Sequence, residues 1–468
     1  MSNSSSMVKK TLIYFAGNFS SKIFTVIIIP IYAQYLSASQ LGEYDFQQTV
    51  GNLLMPVIVI AIWEAVLRFG LNETGEELAR VVSTSVAIAS ITLTISFIIL
   101  MMTYSRIYGL SALTFYYVLL IISMPIVTLT GYIARALKKN IHFAFSGVVS
   151  SFVNLLGIII LVIIYDQGLK GLLISSVLAN LFNSVFLFIS TKMYRYIHIR
   201  YFSKSLSKKL IHFSAPLILN LTFGWFTSSY SRFYINLTIG ATANGIYAFA
   251  SKFSGVMMQI TGIINMSAIE DAVESIGDKE WLSRFEKNIE NISALFIQMS
   301  CVLMSLTAVY YNFVNNLDFK SSIILVPLLI VTTFFSSVST LLGNIFSVFN
   351  KTEKIFITTL FSGVANILFS LILGNFFGLI GVVLAQMASA FILAFSRYYY
   401  GQKIQNYHIN FIKYIKYFVF FTITAICSIK GNLVIQLLIF GINCLIVVKE
   451  NRQWIEKYLL ALYKKIRK

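Results

Sequence analysis

Apolar runs long enough to cross a lipid bilayer recur along the whole chain, and short polar loops separate them. A helix of about 20 apolar residues spans the hydrocarbon core of a membrane. Only 12% of the residues are charged, well below the roughly 25% that is usual in soluble domains. The pattern predicts an all-α polytopic membrane protein. Its fourteen predicted spans lie near 11–36, 44–69, 80–104, 112–136, 141–165, 168–191, 210–239, 245–269, 288–311, 321–349, 354–375, 378–398, 412–429 and 432–448.

The positions of the basic residues predict the orientation of these spans. Only four of the 36 lysines and arginines fall in loops opposite the N-terminus: Arg106, Lys170, Lys320 and Lys430. Three lie within spans: Lys22, Arg232 and Lys252. Because positive loops stay in the cytoplasm, both termini are predicted to be cytoplasmic, and the basic tail 456–468 to lie along the inner leaflet as an amphipathic helix. The net charge of +18 therefore reflects membrane topology and predicts no nucleic-acid partner.

An internal repeat divides the chain into two six-span halves. Three pairs of segments align, at offsets of 203, 210 and 212 residues: LSASQLGEYDF (36–46) with IGATANGIYAF (239–249), GLKGLLIS (168–175) with GLIGVVLA (378–385), and SSFVNLLG (150–157) with FSGVANILF (361–369). Each half contains six spans, an even number, so both halves start on the same membrane face. The repeats are therefore parallel, as in carriers built from two lobes.

The repeat predicts three parts of the chain. Residues 1–204 form an N-terminal six-helix lobe with its linker, and residues 205–403 form the C-terminal six-helix lobe. Residues 404–468 hold helices 13 and 14 and the basic cytoplasmic tail. The two lobes are expected to surround a central cavity.

Polar or small residues recur at helical spacing on the first two spans of each half, and such stripes face protein or water. They are Asn18 and Lys22; Asp45, Gln48 and Asn52; Trp225, Ser229, Arg232 and Asn236; and Lys252, Gly255, Gln259 and Gly262. Together they predict one hydrated cavity, with amides and hydroxyls for sugar hydroxyls and aromatic faces such as that of Trp225 for sugar rings.

The cations of these stripes suggest an anionic ligand. Lysine in a span costs about 2.5–3.5 kcal/mol on insertion scales, so Lys22 needs a partner. Lys22, Arg232 and Lys252 predict binding of a diphosphate through charge-assisted hydrogen bonds. Two alternatives remain open: Lys22 pairs with Asp45 to lock helices together, or Arg232 and Lys252 extend to a leaflet surface.

Acidic residues near the predicted cytoplasmic ends of spans two and eight suggest further roles. Glu64 and Arg68 are four residues apart in the order that favours an intrahelical ion pair. The alternative is a cytoplasmic gate that they share with Glu270 and Asp271. Asp45, Glu43 or Glu64 is also a candidate for binding a coupling H⁺ or Na⁺, and the sequence predicts no other cofactor and no metal or catalytic set.

The chain resembles the polysaccharide exporter group of the multidrug/oligosaccharidyl-lipid/polysaccharide (MOP) superfamily over about its first 400 residues. The resemblance lies in four segments: KKTLIYFAGNFSSKIFTVIIIPIYAQYLSASQLGEYDF, WEAVLRFG, YIARALKKNIHFAF and GIYAFASKF. It implies a non-enzymatic flippase of the bacterial inner membrane that moves undecaprenyl-diphosphate-linked oligosaccharides by alternating access, for O-antigen, capsule or another surface polysaccharide. Membrane lipids, a polysaccharide polymerase and glycosyltransferases are the partners it implies.

Other functions are compatible with parts of the pattern. A multidrug or cation antiporter and the lipid II flippase type share the superfamily, but a drug exporter needs an acidic cavity, and span one carries Lys22 without a carboxylate. A membrane polymerase or glycosyltransferase needs a substantial loop or a set of acidic and histidine residues, and the sequence shows neither. A channel needs a selectivity-filter segment, and the sequence shows none. The repeat therefore favours a carrier.

Overall fold

The computed structural model describes residues 24, 26–274, 276, 280–410 and 412–452. Within these ranges the regular structure is helical throughout. The chain divides into two compact units, Met1–Gly245 and Ile246–Lys468. The predicted amphipathic tail 456–468 lies outside the described residues.

Where the structure describes it, the first unit contains nine α-helices and the first turn of a tenth. They are α1 (Val26–Tyr35), α2 (Ala38–Ile58), α3 (Ile62–Gly70), α4 (Gly75–Tyr108), α5 (Ala112–Ala136), α6 (Asn140–Ile158, continued by a π-helical turn Ile159–Ile164), α7 (Gly168–Ser190), α8 (Lys204–Ser228), α9 (Tyr230–Thr238) and the start of α10 (Ala241–Glu274).

The second unit holds the rest of α10 and six further helices. They are α11 (Trp281–Tyr311), α12 (Leu317–Ser321), α13 (Leu325–Val348), α14 (Thr352–Gln402), α15 (Ile412–Lys430) and α16 (Leu433–Glu450). Helix α14 is two limbs that meet at Gly378, whose φ of 56° and ψ of −135° break the helix between the eleventh and twelfth predicted spans.

The helices confirm the all-α, multi-span fold predicted from hydropathy. In the described part of the chain, nine helices are long and apolar enough to cross a membrane, and the bent pair α2 and α3 forms a tenth such span. Helices also cover the predicted spans 245–269 and 412–429. The first predicted span is described only from residue 24 onward.

The second span bends by 55° where α2 meets α3. The Ala61 N–H donates to the Pro56 carbonyl at 2.8 Å, and the Ile60 N–H donates to the Val57 carbonyl at 3.2 Å. This pair of bonds is the helix-ending Schellman motif, which satisfies carbonyls that membrane lipid cannot. Ile60 occupies the left-handed position with a φ of 53°, where glycine is usual. The bend is therefore a defined and locally strained break.

Corresponding turns in the two halves support the predicted repeat. Helices α5 and α13 both end two residues before a left-handed residue, Lys138 with a φ of 60° and Asn350 with a φ of 55°. These two residues are separated by the offset of 212 found in the sequence. Gly168 and Gly378, at the offset of 210, also both have positive φ. The repeat therefore extends to the geometry of individual turns.

The linker after α7 is bound to the first unit. The Ser83 hydroxyl of α4 donates to the Tyr196 carbonyl at 2.7 Å and accepts from the His198 N–H at 3.1 Å. The Thr84 hydroxyl accepts from the Ser203 N–H at 3.3 Å. Helices α8 and α9 then pack on α2, α3 and α4. The compact unit thus extends past the repeat boundary at 204/205, and the division by repeats stays a prediction.

Helix α16 is joined to α11 by polar contacts at seven-residue spacing. The Asn312 amide donates to the Gln436 side chain at 2.6 Å, the Asn443 amide donates to the Ser305 hydroxyl at 3.3 Å, and the Gln298 amide donates to the Glu450 carboxylate at 2.6 Å. Seven residues are about two helical turns, so all three contacts lie on one seam. We call them the polar ladder. Such bonds fix the register of helices that lipid alone does not drive together.

We expect Asn443→Ala to lower the stability of the folded protein, because the Asn443 amide also contacts the Cys301 carbonyl and the Thr424 hydroxyl, each at 3.3 Å. Interhelical hydrogen bonds in membranes contribute about 1–2 kcal/mol. The midpoint of thermal unfolding of the purified protein measures the effect. Leu445→Ala, which truncates a side chain on the same helix that is 70% exposed, is the control. Equal midpoints for the two variants contradict the role of the ladder.

Candidate functional site

Helix α2 presents the polar face on which the candidate site is built. Its first turn is fixed by a capping box, in which the Gln40 N–H donates to the Ser37 hydroxyl at 3.2 Å and the Ser37 N–H donates to the Gln40 side chain at 3.0 Å. These bonds satisfy helix-end N–H groups at the predicted membrane surface. The cap therefore sets the direction in which Asp45 and its neighbours project.

The central contact of the site is an ion pair between α2 and α9. Arg232 Nη1 donates to Asp45 Oδ1 at 2.5 Å. The Asp45 side chain is 3% exposed, whereas that of Arg232 is 29% exposed. Arg232 therefore has a carboxylate partner within the first unit, and its predicted role toward an anionic ligand stays a prediction. The structure also directs this guanidinium to Asp45 and not to a leaflet surface.

One oxygen of this buried carboxylate is left over. Asp45 Oδ2 is buried and has no hydrogen-bond partner among the described residues. Leaving a buried acceptor unsatisfied costs about 1–3 kcal/mol, and more for a charged group. The alternative pairing of Asp45 with Lys22 falls on a residue outside the described ranges, as does the predicted cavity residue Asn18. The ion pair thus has a short contact, but the second oxygen of its carboxylate accepts no hydrogen bond from the described residues.

Trp225 packs between helices and does not present a ring to a ligand. Its indole N–H donates to the Thr49 carbonyl of α2 at 3.0 Å, and the residue is 6% exposed. The ring of Phe233 lies 5.6 Å from that of Trp225 and stacks on Phe46 at 5.8 Å. The predicted role of Trp225 as a sugar platform is therefore corrected. The polar stripe of span seven faces α2, and Trp225 fastens it there.

The other predicted stripe residues differ in exposure. Asn52 and Gln259 are exposed, whereas Gln48, Ser229, Asn236 and Lys252 are half-buried. The Gln48 amide donates to the Tyr44 hydroxyl at 2.6 Å, and this hydroxyl also bonds the Ser176 hydroxyl at 2.6 Å. Ser229 interrupts span seven, since it ends α8 and begins α9. Their roles toward a substrate stay predictions.

The predicted ion pair between Glu64 and Arg68 does not form in the described structure. Glu64 Oε1 instead accepts from the Trp63 indole at 3.0 Å and from the Tyr132 hydroxyl at 3.2 Å. Both residues lie in α3, Glu64 in its first turn, where the helix dipole favours a carboxylate, and Arg68 in its last turn, where the dipole favours a cation. A gate role for either residue stays a prediction.

The acidic pair at the end of α10 belongs to the second unit. Asp271 is exposed and accepts from the Asn288 amide of α11 at 2.7 Å. Glu270 lies in the same helix, and its side chain is outside the described set. The Asp271 contact ties α10 to α11 at the predicted cytoplasmic end. The proposed gate between spans two and eight is therefore untested.

Sequence reasoning missed a carboxylate network on the other side of α2. The Gln47 amide donates to Glu43 at 2.8 Å and its oxygen accepts from the Tyr104 hydroxyl of α4 at 2.9 Å. Gln47 is fully buried, and the rings of Tyr104, Tyr108 and Tyr117 pack against one another. The spacing of four between Glu43 and Gln47 was the available signal. Nothing in the sequence connected it to tyrosines some sixty residues away.

The repeated motifs of the two halves meet at two glycines of the first unit. A Cβ on Gly42 would overlap the Ala241 carbonyl oxygen, and a Cβ on Gly245 would overlap the Ala38 carbonyl oxygen. The fully buried Asn244 donates to the Gly42 carbonyl at 2.8 Å. We call this pair the glycine contact. It explains why both copies of the motif carry glycine, since only glycine lets two backbones approach so closely.

These observations define a multi-pass membrane protein with the fold of MOP superfamily transporters. The fold is similar to that of the lipid II flippase MurJ in an inward closed conformation, with a TM-score of 0.73, 15% identity, and 95% of this chain and 100% of that chain covered. A multidrug resistance MATE family transporter of the MOP superfamily, inward-facing, gives a TM-score of 0.59 at 17% identity, covering 81% of this chain and 97% of that chain. The chain belongs to the polysaccharide biosynthesis protein family, whose model matches residues 7–269, more than half of its length.

Two further comparisons complete this result. A MATE structure in complex with MaL6 has a TM-score of 0.61 at 14% identity, over 85% of this chain and 95% of that chain. No match was found among curated proteins. The family match over residues 7–269 and the similarity of the fold thus agree with the resemblance to polysaccharide exporters noted in the sequence.

The ion pair predicts a characteristic pattern of stabilities. Removing one partner of a buried pair costs about 3–5 kcal/mol, because it strands the other charge. We expect Asp45→Asn and Arg232→Gln each to fall near the lower end, since Arg232 is 29% exposed. The double variant should lose clearly less than the sum of the two. Thermal unfolding of all four proteins measures this coupling, and additive losses rule it out.

The glycine contact predicts that Gly245→Ala is damaging while similar changes on the same helix are tolerated. The added Cβ meets backbone, which moves only if the helix moves, and overpacking costs about 1–3 kcal/mol or more. Gly255→Ala and Gly262→Ala are matched controls, because nothing lies within 4 Å of a Cβ at either position. The fraction of monodisperse protein after extraction and its unfolding midpoint report the effect. Equal behaviour of the three variants contradicts the close approach.

Proposed function

We propose that this protein is a flippase that carries undecaprenyl-diphosphate-linked oligosaccharide repeat units across the bacterial cytoplasmic membrane. It would serve the synthesis of O-antigen, capsule or another surface polysaccharide, with glycosyltransferases before it and a polymerase after it. The observation that carries the proposal is membership in the polysaccharide biosynthesis family. The multi-span fold fits movement of a membrane-bound substrate and not chemistry on it.

The extent of the fold similarity supports a lipid-linked substrate over a small soluble one. The lipid II flippase covers 95% of this chain, and the inward-facing MATE transporter covers 81%. The polar ladder holds α16 in place against α11, so this pair is a built part of the second unit.

The ion pair has a defined role in this proposal. Asp45 accepts a hydrogen bond from Nη1 of Arg232, and 29% of the Arg232 side chain is exposed. A guanidinium carries five N–H donors in a planar fork, and this geometry suits two anions at once. Asp45 is then a positioning residue, and Arg232 binds the diphosphate together with Lys22 and Lys252. An H⁺ or Na⁺ that neutralises Asp45 is the coupling ion we propose.

A cation or drug antiporter is the second candidate, because MATE transporters share the fold. Its specific support is Asp45, a carboxylate that is 3% exposed and has one oxygen without a described partner. The two candidates differ in what Arg232 does. A cation substrate would be repelled by that guanidinium, whereas a diphosphate would be attracted.

The Asp45→Asn/Arg232→Gln double variant separates a binding role of Arg232 from a structural one. Once the uncompensated charge is removed, we expect the double variant to regain much of the stability that each single change loses. It should nevertheless restore surface polysaccharide at least about tenfold less well than wild type in a flippase-null host, since one interaction of an arginine with phosphate is worth about 1.5–3 kcal/mol. Lys22→Gln and Lys252→Gln should show the same loss.

This experiment has two controls: the amount of each variant in the membrane, and a substitution that removes a charge outside the site. Membrane abundance of each variant is measured beside polysaccharide, and Arg106→Gln removes an exposed charge in the last turn of α4, at the opposite predicted face. Wild-type polysaccharide in the double variant would make Arg232 structural only. Loss of drug or cation efflux, with polysaccharide unaffected by deletion of the protein, would favour the antiporter.

A further inference from the structure

The two limbs of α14 form a groove on the outer side of the second unit. Its volume is about 440 Å³. Phe361, Val364 and Leu368 line it from the first limb, and Ile392, Phe395 and Tyr399 line it from the second. Both sets follow the i, i+3, i+7 spacing of one helix face. The groove therefore runs along the limbs, in the direction that a lipid chain takes.

The apolar residues of this groove are exposed. Phe361 is 57% exposed and Phe395 is 61% exposed, although both limbs are long enough to cross the membrane. Below the groove, the limbs are held together by the Ser362 hydroxyl, which donates to the Ser389 carbonyl at 2.9 Å. The groove is thus a fixed depression between two fastened helices, and its open side exposes apolar side chains.

Positive charge gathers at one end of the groove, at the predicted cytoplasmic face. The Lys403 ammonium lies 4.4 Å from the centre of the Tyr399 ring, and the Lys354 ammonium lies 5.6 Å from the centre of the Tyr400 ring. Tyr399 also raises the pKa of Lys403, so that ammonium stays charged. One acid is close by: Glu353 lies 3.6 Å from Lys354 and is mostly exposed.

A third cation, Arg397, lies on the second limb within two turns of Lys403. The guanidinium of Arg397 donates to the Ser339 carbonyl at 2.9 Å, to the Thr359 hydroxyl at 3.3 Å and to the Thr358 hydroxyl at 3.5 Å. All of these acceptors are neutral, so its charge is not cancelled by them. Three cations against Glu353 leave this end of the groove net positive.

From this arrangement we infer that the α14 groove binds an anionic phospholipid of the cytoplasmic leaflet, with its phosphate at Lys354 and Lys403 and an acyl chain between the limbs. Basic pockets at the cytoplasmic ends of spans recognise such headgroups. The tyrosines sit at headgroup depth, where amphipathic rings are favoured. The site lies within one unit and is independent of the proposed substrate path.

The experiment compares lipid retention by the purified full-length protein. The protein is incubated with phosphatidylglycerol or with phosphatidylethanolamine of identical acyl chains, and bound lipid is counted by native mass spectrometry. We expect a clear preference for phosphatidylglycerol. Attraction of an anionic lipid surface is worth on the order of fivefold per lysine. Lys354→Ala/Lys403→Ala should therefore reduce retention about tenfold or more, and Lys354→Arg/Lys403→Arg should keep it.

Two further variants make the result specific to the groove. Lys204→Ala/Lys208→Ala removes two exposed lysines on the same predicted face and should leave retention unchanged. Ser396→Phe, on the second limb, fills the groove and should lower retention of phosphatidylglycerol while the lysines remain. Equal retention of the two lipids overturns the proposal. So does an unchanged preference in the alanine double variant, or displacement of the lipid only by a lipid-linked sugar diphosphate, which would make the groove part of the substrate path.

Discussion

The satisfaction of polar groups inside a bilayer is the constraint on which this structure depends. Lipid offers no hydrogen bonds, so each buried carboxylate, amide or broken helix end has to find its partner in protein. The ion pair of Asp45 with Arg232, the indole of Trp225 on the Thr49 carbonyl and the polar ladder all meet this requirement. Apolar burial does not distinguish a helix neighbour from lipid. These few polar contacts therefore decide which helices pack together and in which register.

The same constraint explains which parts of the fold were predictable. Hydropathy located the spans because a helix has to be apolar over the thickness of the membrane, and the breaks near Lys138, Asn350 and Gly378 fall where one predicted span gives way to the next. The bend at Ile60 was not predictable, since an isoleucine with positive φ is disfavoured by its own side chain. Packing with the rest of the protein holds Ile60 in this conformation.

The candidate site was predictable in its residues but not in its pairings. Helical spacing selected Asp45, Trp225 and Arg232 as one polar face, and the structure brings all three to the interface of α2 with span seven. Spacing along one helix does not say which helix lies opposite. The stripes suggested a wet cavity, which stays a prediction, but they did not show that Trp225 and Asp45 would be buried where α2 meets span seven. The hydrogen bond between the Tyr104 hydroxyl and the Gln47 side chain was unpredictable for the same reason, since the spacing along α2 does not show that α4 lies opposite.

An ion pair with one unsatisfied oxygen is well suited to a protein that changes state. A fully satisfied pair would lock α2 to α9, because opening it would strand two charges at a cost of several kcal/mol. With Oδ2 of Asp45 unpartnered among the described residues, the closed arrangement already carries part of that cost. A ligand or ion that satisfies this oxygen, or an anion that takes Arg232, shifts the balance by the difference in its affinity for the two arrangements. Under the proposed function, incomplete satisfaction of the pair would leave a substrate or ion a contact to complete, which a fully satisfied internal pair would not.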